Sequence, residues 1–120
     1  MNPKSSHQEA GMNFRKIVAI IRTDSLENVE AALKAKHVPG VSVTKVKGYG
    51  EYANFFTQDW MQTHAKVEVF IGAERAEDIA VAIMEAAHTG LEGDGIVAVI
   101  PVESVYHIRT REKCKHDVCE

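Results

Sequence analysis

The sequence predicts an α+β fold of the ferredoxin-like kind, βαββαβ, in which two βαβ halves (the split βαβ motif) share one antiparallel sheet. Apolar runs rich in Val and Ile predict the strands, and two segments with apolar residues at helical spacing predict the helices. They follow one another as strand, helix, strand, long loop, strand, helix, strand. Because the helices would cover only one face of the sheet, we expect the chain to self-associate.

The first half begins with a short β-branched run at residues 14–22, FRKIVAIIR, which is typical of a buried strand. Asp24 and Glu27 follow at the spacing of a capping box, which predicts the start of a helix. Apolar residues then recur at helical spacing until Pro39-Gly40 ends the pattern. Residues 41–46 alternate between apolar and polar side chains, as in a strand with one buried face.

The second half repeats this order after a long loop. Residues 65–71, AKVEVFI, alternate as a strand, and residues 74–87 form an amphipathic pattern typical of a helix. Residues 96–102, IVAVIPV, predict a third apolar strand, and residues 105–109 a further short one. From Arg111 onward the chain is charged, and we expect it to be frayed.

The length of 120 residues favours one domain. We expect a disordered leader at residues 1–13, a domain at residues 14–110 with a long loop at about residues 49–64, and a tail at residues 111–120. A net charge of -3 gives no electrostatic footprint for nucleic acid. The leader lacks the apolar core of a signal peptide, and no apolar run approaches the roughly 20 residues of a membrane helix. The sequence therefore predicts a cytoplasmic protein.

The turn at residues 89–95, TGLEGDG, lies between the second predicted helix and the strand after it. Glycines let backbone N–H groups approach a ligand closely, and successive amides in such a turn form a nest for phosphate oxygens. Gly48-Tyr49-Gly50 is a second glycine pair, and Arg109 offers a bidentate cation for a phosphate. Taken alone, these features are more simply explained as a helix C-cap, an ordinary turn and a solvated strand-end charge.

Five pieces of sequence occur in a fixed order between Lys16 and Thr110: IVAII at 17–21, VTKVKGYG at 43–50, TGLEGDG at 89–95, PVE at 101–103 and IRT at 108–110. This ordered set resembles the PII-type signal transducers. The resemblance implies a ferredoxin-like homotrimer with an adenine nucleotide in each cleft between subunits. It also implies that the loop after Gly50, the T-loop of that family, contacts the nucleotide and docks on partner proteins.

The resemblance also implies which residues bind the nucleotide. Glu68 and Phe70 would line the adenine pocket, and their alternate positions in a strand put both on one sheet face. The glycine turn would wrap the nucleotide from one subunit. The full set of implied nucleotide-binding residues is Ser42, Gly48, Gly50, Glu68, Phe70, Thr89, Gly93, Asp94, Gly95, His107 and Arg109.

Two departures from the family pattern concern the phosphates. Ile96 stands after the last glycine of the turn, where family members usually have a lysine, and His107 replaces the first of two C-terminal arginines. One permanent cation, Arg109, and one titratable ring then face the phosphates. We therefore expect ADP or AMP to be preferred over ATP.

The loop after Gly50 is shorter than usual, lacks the tyrosine that becomes uridylylated, and has Tyr52 at the family's glutamine position. These changes argue against magnesium-dependent 2-oxoglutarate binding. Five aromatic residues are crowded into this region, which indicates either a hydrophobic anchor for a partner or rings that cover the loop's own subunit. They are Tyr49, Tyr52, Phe55, Phe56 and Trp60.

Cys114 and Cys119 are separated by four residues in the tail. They are compatible with free thiols, with a reversible redox pair, or, together with His116, with three ligands of a metal that prefers four. With the short loop and the missing lysine, this tail resembles the PII-like branch associated with carboxysomes and bicarbonate uptake. That resemblance implies bicarbonate bound near Gly48, Gly50 and either Arg22 or Arg109; as an alternative, Arg22 is a plain surface arginine.

The predicted function is therefore regulatory, with no cofactor, no resident metal and no catalytic residues. The trimer would bind ADP or AMP, sense bicarbonate, and control inorganic-carbon uptake or fixation through a membrane transporter or a carboxysome-related protein. One alternative is a nitrogen-regulatory PII protein that binds ATP or ADP with 2-oxoglutarate and controls ammonium transport. The other is an adenine nucleotide hydrolase in which Asp94 and His107 act alone, without a paired base.

Overall fold

A computed structural model of the chain describes residues 13–48 and 62–115. Within them, a 3-10 turn at Thr23–Ser25 precedes the first helix. The main elements are β1 (Phe14–Arg22), α1 (Leu26–Ala35), β2 (Ser42–Gly48), β3 (Gln62–Gly72), α2 (Ala73–Ala87) and β4 (Gly95–Val102), followed by the short strands β5 (Tyr106–His107) and β6 (Glu112–Lys113).

The four long strands form one sheet in the order β2-β3-β1-β4. Each neighbouring pair is antiparallel, and β1 is central because it pairs with both β3 and β4. The predicted α+β fold with an antiparallel sheet and two helices is thereby confirmed, since each βαβ half contributes one central and one edge strand.

The hydrophobic core lies between the two helices and one face of the sheet. Alternate residues of β1 and β3, among them Ile17 and Val67, pack in one cluster with Leu33 of α1 and with Ile79 and Ile83 of α2, and all five are at most 1% exposed. Full burial of an aliphatic side chain of this size stabilises the fold by about 1.5–3 kcal/mol. The apolar faces that the helical and strand periodicities predict therefore pack against each other in this layer.

The opposite face of the sheet is only partly covered. Ile20 of β1 pairs with Ile96 of β4, and Lys16 pairs with Ile100. The side chains of Ile96 and Ile100 are each 41% exposed. This half-exposed apolar face is the surface that the expected self-association would cover.

The predicted capping box at Asp24 and Glu27 is wrong. Ser25, not Asp24, is the N-cap of α1, and no side chain caps the helix. The physical reason is that the 3-10 turn runs directly into the helix. Ser25 already has helical backbone angles (φ -91°, ψ -7°), whereas a capping side chain needs an extended residue at that position.

The loop and the tail also differ from their predicted bounds. β3 begins at Gln62, so residues 62–64 belong to a strand and not to the loop expected at 49–64. The tail is not frayed at Arg111, because β5 and β6 form a small hairpin. The Arg111 amide donates to the His107 carbonyl at 2.7 Å, and the Cys114 amide donates to the Val105 carbonyl at 2.8 Å. Backbone pairing of this kind depends little on side-chain pattern, so the charged sequence concealed it.

Candidate functional site

The glycine turn is organised around the carboxylate of Asp94. Its Oδ2 accepts hydrogen bonds from the backbone amides of Thr89 at 2.8 Å and Gly90 at 2.9 Å. Its Oδ1 accepts from the Thr89 hydroxyl and from Nε of Arg22, the latter at 3.0 Å. The turn is therefore closed by a side chain within it and by an arginine from the end of β1.

Arg22 makes a second contact with the same turn, through a donation from Nη2 to the Glu92 carbonyl. The side chains of Arg22 and Asp94 are each 23% exposed, so solvent screens this ion pair less than a fully exposed one. Neither predicted role of Arg22, an anion contact or a solvated surface charge, includes this contact. Two of the guanidinium's donor groups are already used within the chain.

The hydrogen bonds change the titration of Asp94. Partial burial alone would raise the pKa of its carboxyl, but donation from Thr89, Arg22 and the Gly90 amide outweighs burial and holds the pKa far below the usual value. Asp94 is therefore a carboxylate at any physiological pH, and its charge is balanced by Arg22.

Two glycines fix the path of the turn. Gly93 has φ 93° and Gly95 has φ 116°, in the region that side chains disfavour. A Cβ added to Gly95 would lie 1.9 Å from the carbonyl oxygen of Ile20. The turn therefore approaches β1 so closely that only glycine fits, and Ile96 directly after it is 41% exposed.

A cleft of about 820 Å³ opens at the other end of the sheet. Its walls come from the start of β1, the segment before β2, the end of β3 and the segment around β5. The lining residues are Phe14, Lys16, Pro39, Gly40, Val41, Ser42, Glu68, Phe70, Val105, Tyr106, His107, Ile108 and Arg109.

Charged and aromatic groups meet on one wall of this cleft. Nζ of Lys16 lies 2.9 Å from a carboxylate oxygen of Glu68 and 5.9 Å from the centre of the Phe70 ring. The Lys16 hydrogen bond lowers the pKa of Glu68, although its partial desolvation acts in the opposite direction and Lys66 adds a smaller attraction. The Phe70 side chain is 53% exposed, so the wall offers a flat aromatic face beside a hydrogen-bonding carboxylate.

His107, which lines the cleft, has a buried atom without a hydrogen-bond partner. Its Nδ1 is buried without a hydrogen-bond partner, and no other side-chain nitrogen or oxygen in the described part of the chain is in that state. Buried polar atoms are rarely left unpaired, because each costs about 1–3 kcal/mol. The ring of His107 therefore has a polar atom for which the described residues supply no partner.

The predicted nucleotide-binding residues form two groups. Lys16 and Arg22 are six residues apart on β1, so the two ends of the sheet are separated by roughly 20 Å. The group at the turn end is Gly48, Thr89, Gly93, Asp94 and Gly95, and the group at the cleft end is Ser42, Glu68, Phe70, His107 and Arg109.

Several predicted features lie outside the described residues. These are Gly50, the aromatic cluster of the loop, the first twelve residues of the leader, His116 and Cys119. Cys114 is described and takes part in a disulfide.

Lys16 is the charged residue of the cleft lining that was not predicted from the sequence. The alternation of residues 14–22 puts Lys16 on the face opposite the core, but its contact with Glu68 depends on the pairing of β1 with β3. The signal that was available is a lysine directly before the apolar run of residues 17–21.

None of the helices among the described residues is long and apolar enough to cross a membrane. Across residues 13–48 and 62–115, no group of three or more His, Cys, Asp or Glu side chains is arranged to hold a metal ion.

The chain is similar to known proteins along most of its length. Residues 14–112 match the sequence model of the family described as Nitrogen regulatory protein P-II. The chain is 39% identical over 102 residues to nitrogen regulatory protein GlnK2 of Haloferax mediterranei, a match that covers 78% of this chain and 82% of the relative. It is 37% identical over 108 residues to nitrogen regulatory protein P-II of Azospirillum brasilense, covering 83% and 96%.

The fold has a solved counterpart as well. A crystal structure of Arabidopsis thaliana PII bound to citrate has a TM-score of 0.76 and 30% sequence identity, over 91% of this chain and 94% of that one. P-II proteins are typically trimeric regulators that bind nucleotides. The family match, the relatives and the shared fold agree, and the chain belongs to the nitrogen regulatory protein P-II family.

Proposed function

We propose that this protein is a cytoplasmic homotrimeric regulator that binds ADP or AMP in the clefts between its subunits. The separation of the two residue groups supports this arrangement. A turn suited to phosphates and an aromatic cleft suited to a base lie roughly 20 Å apart in one chain. Two copies that bring the turn of one against the cleft of the other would complete each site.

The observation that carries the preference for ADP or AMP is the apolar side chain of Ile96. It follows Gly95 directly and is 41% exposed, where a lysine would place an ammonium group beside the outer phosphates. His107 then offers a neutral or singly charged ring, and Arg109 is the permanent cation of the cleft end apart from the already paired Lys16. Fewer cations favour ligands with fewer phosphate charges.

We further propose that bicarbonate is a second ligand. Arg22 already donates to Asp94 and Glu92, so Arg109 of a neighbouring subunit is the better candidate to hold a bicarbonate beside Gly48. Ligand binding would shift the loop after Gly50 between conformations that a transporter or a carboxysome-related protein distinguishes. The protein would thereby couple adenylate and bicarbonate levels to inorganic-carbon uptake.

Nitrogen regulation is the second candidate, and the names of the relatives favour it, since GlnK2 of Haloferax mediterranei and P-II of Azospirillum brasilense are both called nitrogen regulatory proteins. A protein of that function would bind ATP or ADP together with 2-oxoglutarate and act on ammonium transport. The two candidates therefore differ in the ligand that cooperates with the nucleotide.

Titration calorimetry on the full chain separates them. ADP, AMP and ATP are each titrated alone, with bicarbonate, and with magnesium and 2-oxoglutarate. We expect ADP and AMP to bind more tightly than ATP, and bicarbonate to strengthen ADP binding. Cooperative binding of ATP, magnesium and 2-oxoglutarate would instead establish the nitrogen-regulatory candidate. Light scattering on the same samples should give the mass of three chains.

A further inference from the structure

The acceptor capacity of Asp94 is fully used inside the chain. An ionised carboxylate has about four lone-pair sites, two on each oxygen. Oδ1 accepts from Arg22 and from the Thr89 hydroxyl, and Oδ2 accepts from the amides of Thr89 and Gly90. A ligand hydroxyl or a metal ion would have to displace one of these donors to reach the carboxylate.

Arg22 is distant from the turn in the sequence but makes two hydrogen bonds with it. Its Nε and Nη2 groups donate to partners 72 and 70 residues away, Asp94 and the Glu92 carbonyl. The planar guanidinium fork suits this double contact, whereas the single ammonium of a lysine does not have the same geometry. The turn is thus anchored to the end of β1 on both sides of Gly93.

We propose that Arg22 and Asp94 form a latch that holds the turn at residues 89–95 in its phosphate-binding shape before any ligand arrives. Both are then positioning residues that do not touch the nucleotide, while the backbone amides of Gly93 and Gly95 do. The inference rests on the proposed nucleotide site, and it reassigns Asp94 from ligand contact to internal brace. A turn held in its bound shape loses less conformational freedom on binding, so the latch strengthens affinity for phosphates.

The direction in which Asp94→Asn changes the affinity for ADP tests the latch. Removing a negative charge near an anionic phosphate should by Coulomb's law tighten binding. The latch predicts the opposite, because the amide's NH₂ group would meet donors where an acceptor is required. We expect affinity for ADP to fall about tenfold or more, the scale of a lost charge-assisted hydrogen bond. Asp78→Asn is the matched control, since Asp78 forms an exposed pair with Lys36 at 3.2 Å and should leave affinity unchanged.

Hydrogen exchange without nucleotide tests the latch directly. The Thr89 and Gly90 amides donate to Asp94, so they should exchange slowly in the free protein and at least about tenfold faster in Asp94→Asn. Thr89→Ser and Thr89→Val provide a second route if Asp94→Asn folds poorly. The serine keeps the hydroxyl donor and should retain binding, whereas the valine should lose affinity.

A general loss of structure would weaken the binding of ADP and of adenosine alike. Adenosine has the base without phosphates, so a defect confined to the turn should weaken ADP and leave adenosine binding unchanged. Arg22→Gln should show this split, and Arg22→Lys should recover only part of the affinity because it keeps the charge without the fork.

Each outcome has a distinct meaning. If the wild-type chain binds no adenine nucleotide, the proposed function fails, while the exchange data still report on the latch. If Asp94→Asn binds ADP as tightly as the wild type or more tightly, or if the amides of Thr89 and Gly90 exchange at the same rate in both, the latch is refuted. If Arg22→Gln weakens ADP while Asp94→Asn does not, Arg22 contacts the phosphates itself and the inference is again overturned.

Discussion

The two ends of the sheet differ in how far their polar groups are satisfied. At the turn end, Asp94 accepts four hydrogen bonds and Arg22 balances its charge. At the cleft end, His107 Nδ1 is buried and unpaired, and the Phe70 ring is 53% exposed beside a cleft of about 820 Å³. At the turn end the polar groups are hydrogen-bonded within a single chain, whereas at the cleft end a polar atom remains without a partner.

This difference suggests a division of labour. A preformed turn would fix where phosphates bind, since Asp94 holds the turn through the Thr89 and Gly90 amides before any ligand is present. An open cleft with an aromatic face and one unpaired histidine nitrogen gains most from a ligand or from another subunit. The turn would therefore contribute rigidity and the cleft would contribute the response to binding.

The largest difference between the two ends of the sheet should follow from adding one methyl group at each of them. Gly95→Ala should destabilise the fold by more than about 2 kcal/mol, because the residue has φ 116° and its Cβ would meet the Ile20 carbonyl at 1.9 Å. Gly40→Ala is the matched change in the cleft, where nothing lies within 4 Å of the added Cβ. It should alter the free energy of unfolding by less than about 0.5 kcal/mol. Urea unfolding of both variants measures the contrast, and equal effects would contradict it.

Substitutions of His107 test the cleft end of the sheet. His107→Phe removes a buried unpaired nitrogen, so the free energy of unfolding should stay within about 1 kcal/mol of the wild type or rise. Affinity for ADP should nevertheless fall about tenfold, because the ligand loses the polar ring that is proposed to contact it. His107→Arg should act in the opposite direction on ATP by restoring a permanent cation. A large loss of stability in His107→Phe without a change in affinity would show that the ring is structural.

The smallest expected effect is on pH dependence. Because the folded-state pKa of Asp94 lies below its unfolded value of about 3.9, its contribution to stability is present above that pH and is lost as the pH falls further. The wild type should therefore lose stability more steeply than Asp94→Asn between about pH 5 and pH 2. In an NMR series, the carboxyl carbon of Asp94 should titrate well below the ordinary aspartate pKa of about 3.9. Titration near the ordinary value would contradict the hydrogen-bonding account.

The sequence was sufficient for the sheet and the helices because their periodicities are strong. Ile17 lies in a continuous apolar run, Val67 alternates with polar residues, and Ile79 and Ile83 share one helix face, so each local pattern indicated a buried element. The hairpin of β5 and β6 was not predictable in this way. Each strand has two residues and is held by backbone hydrogen bonds, which leave little trace in the side-chain pattern.

The candidate site divides along the same line. The glycine turn was visible because Gly93 and Gly95 are residues that left-handed backbone requires. The contact between Arg22 and Asp94 was not, since it joins residues 72 positions apart that meet only after β1 pairs with β4. The capping box at Asp24 failed for a related reason: a local motif was overridden by the 3-10 turn leading into α1.

Calorimetry with ADP, AMP and ATP on the wild type and on Ile96→Lys tests the central claim most directly. The wild type should bind ADP and AMP more tightly than ATP, and the added ammonium group should raise affinity for ATP more than for AMP. If the wild type binds ATP at least as tightly as ADP and AMP, the cation-poor site described above is contradicted.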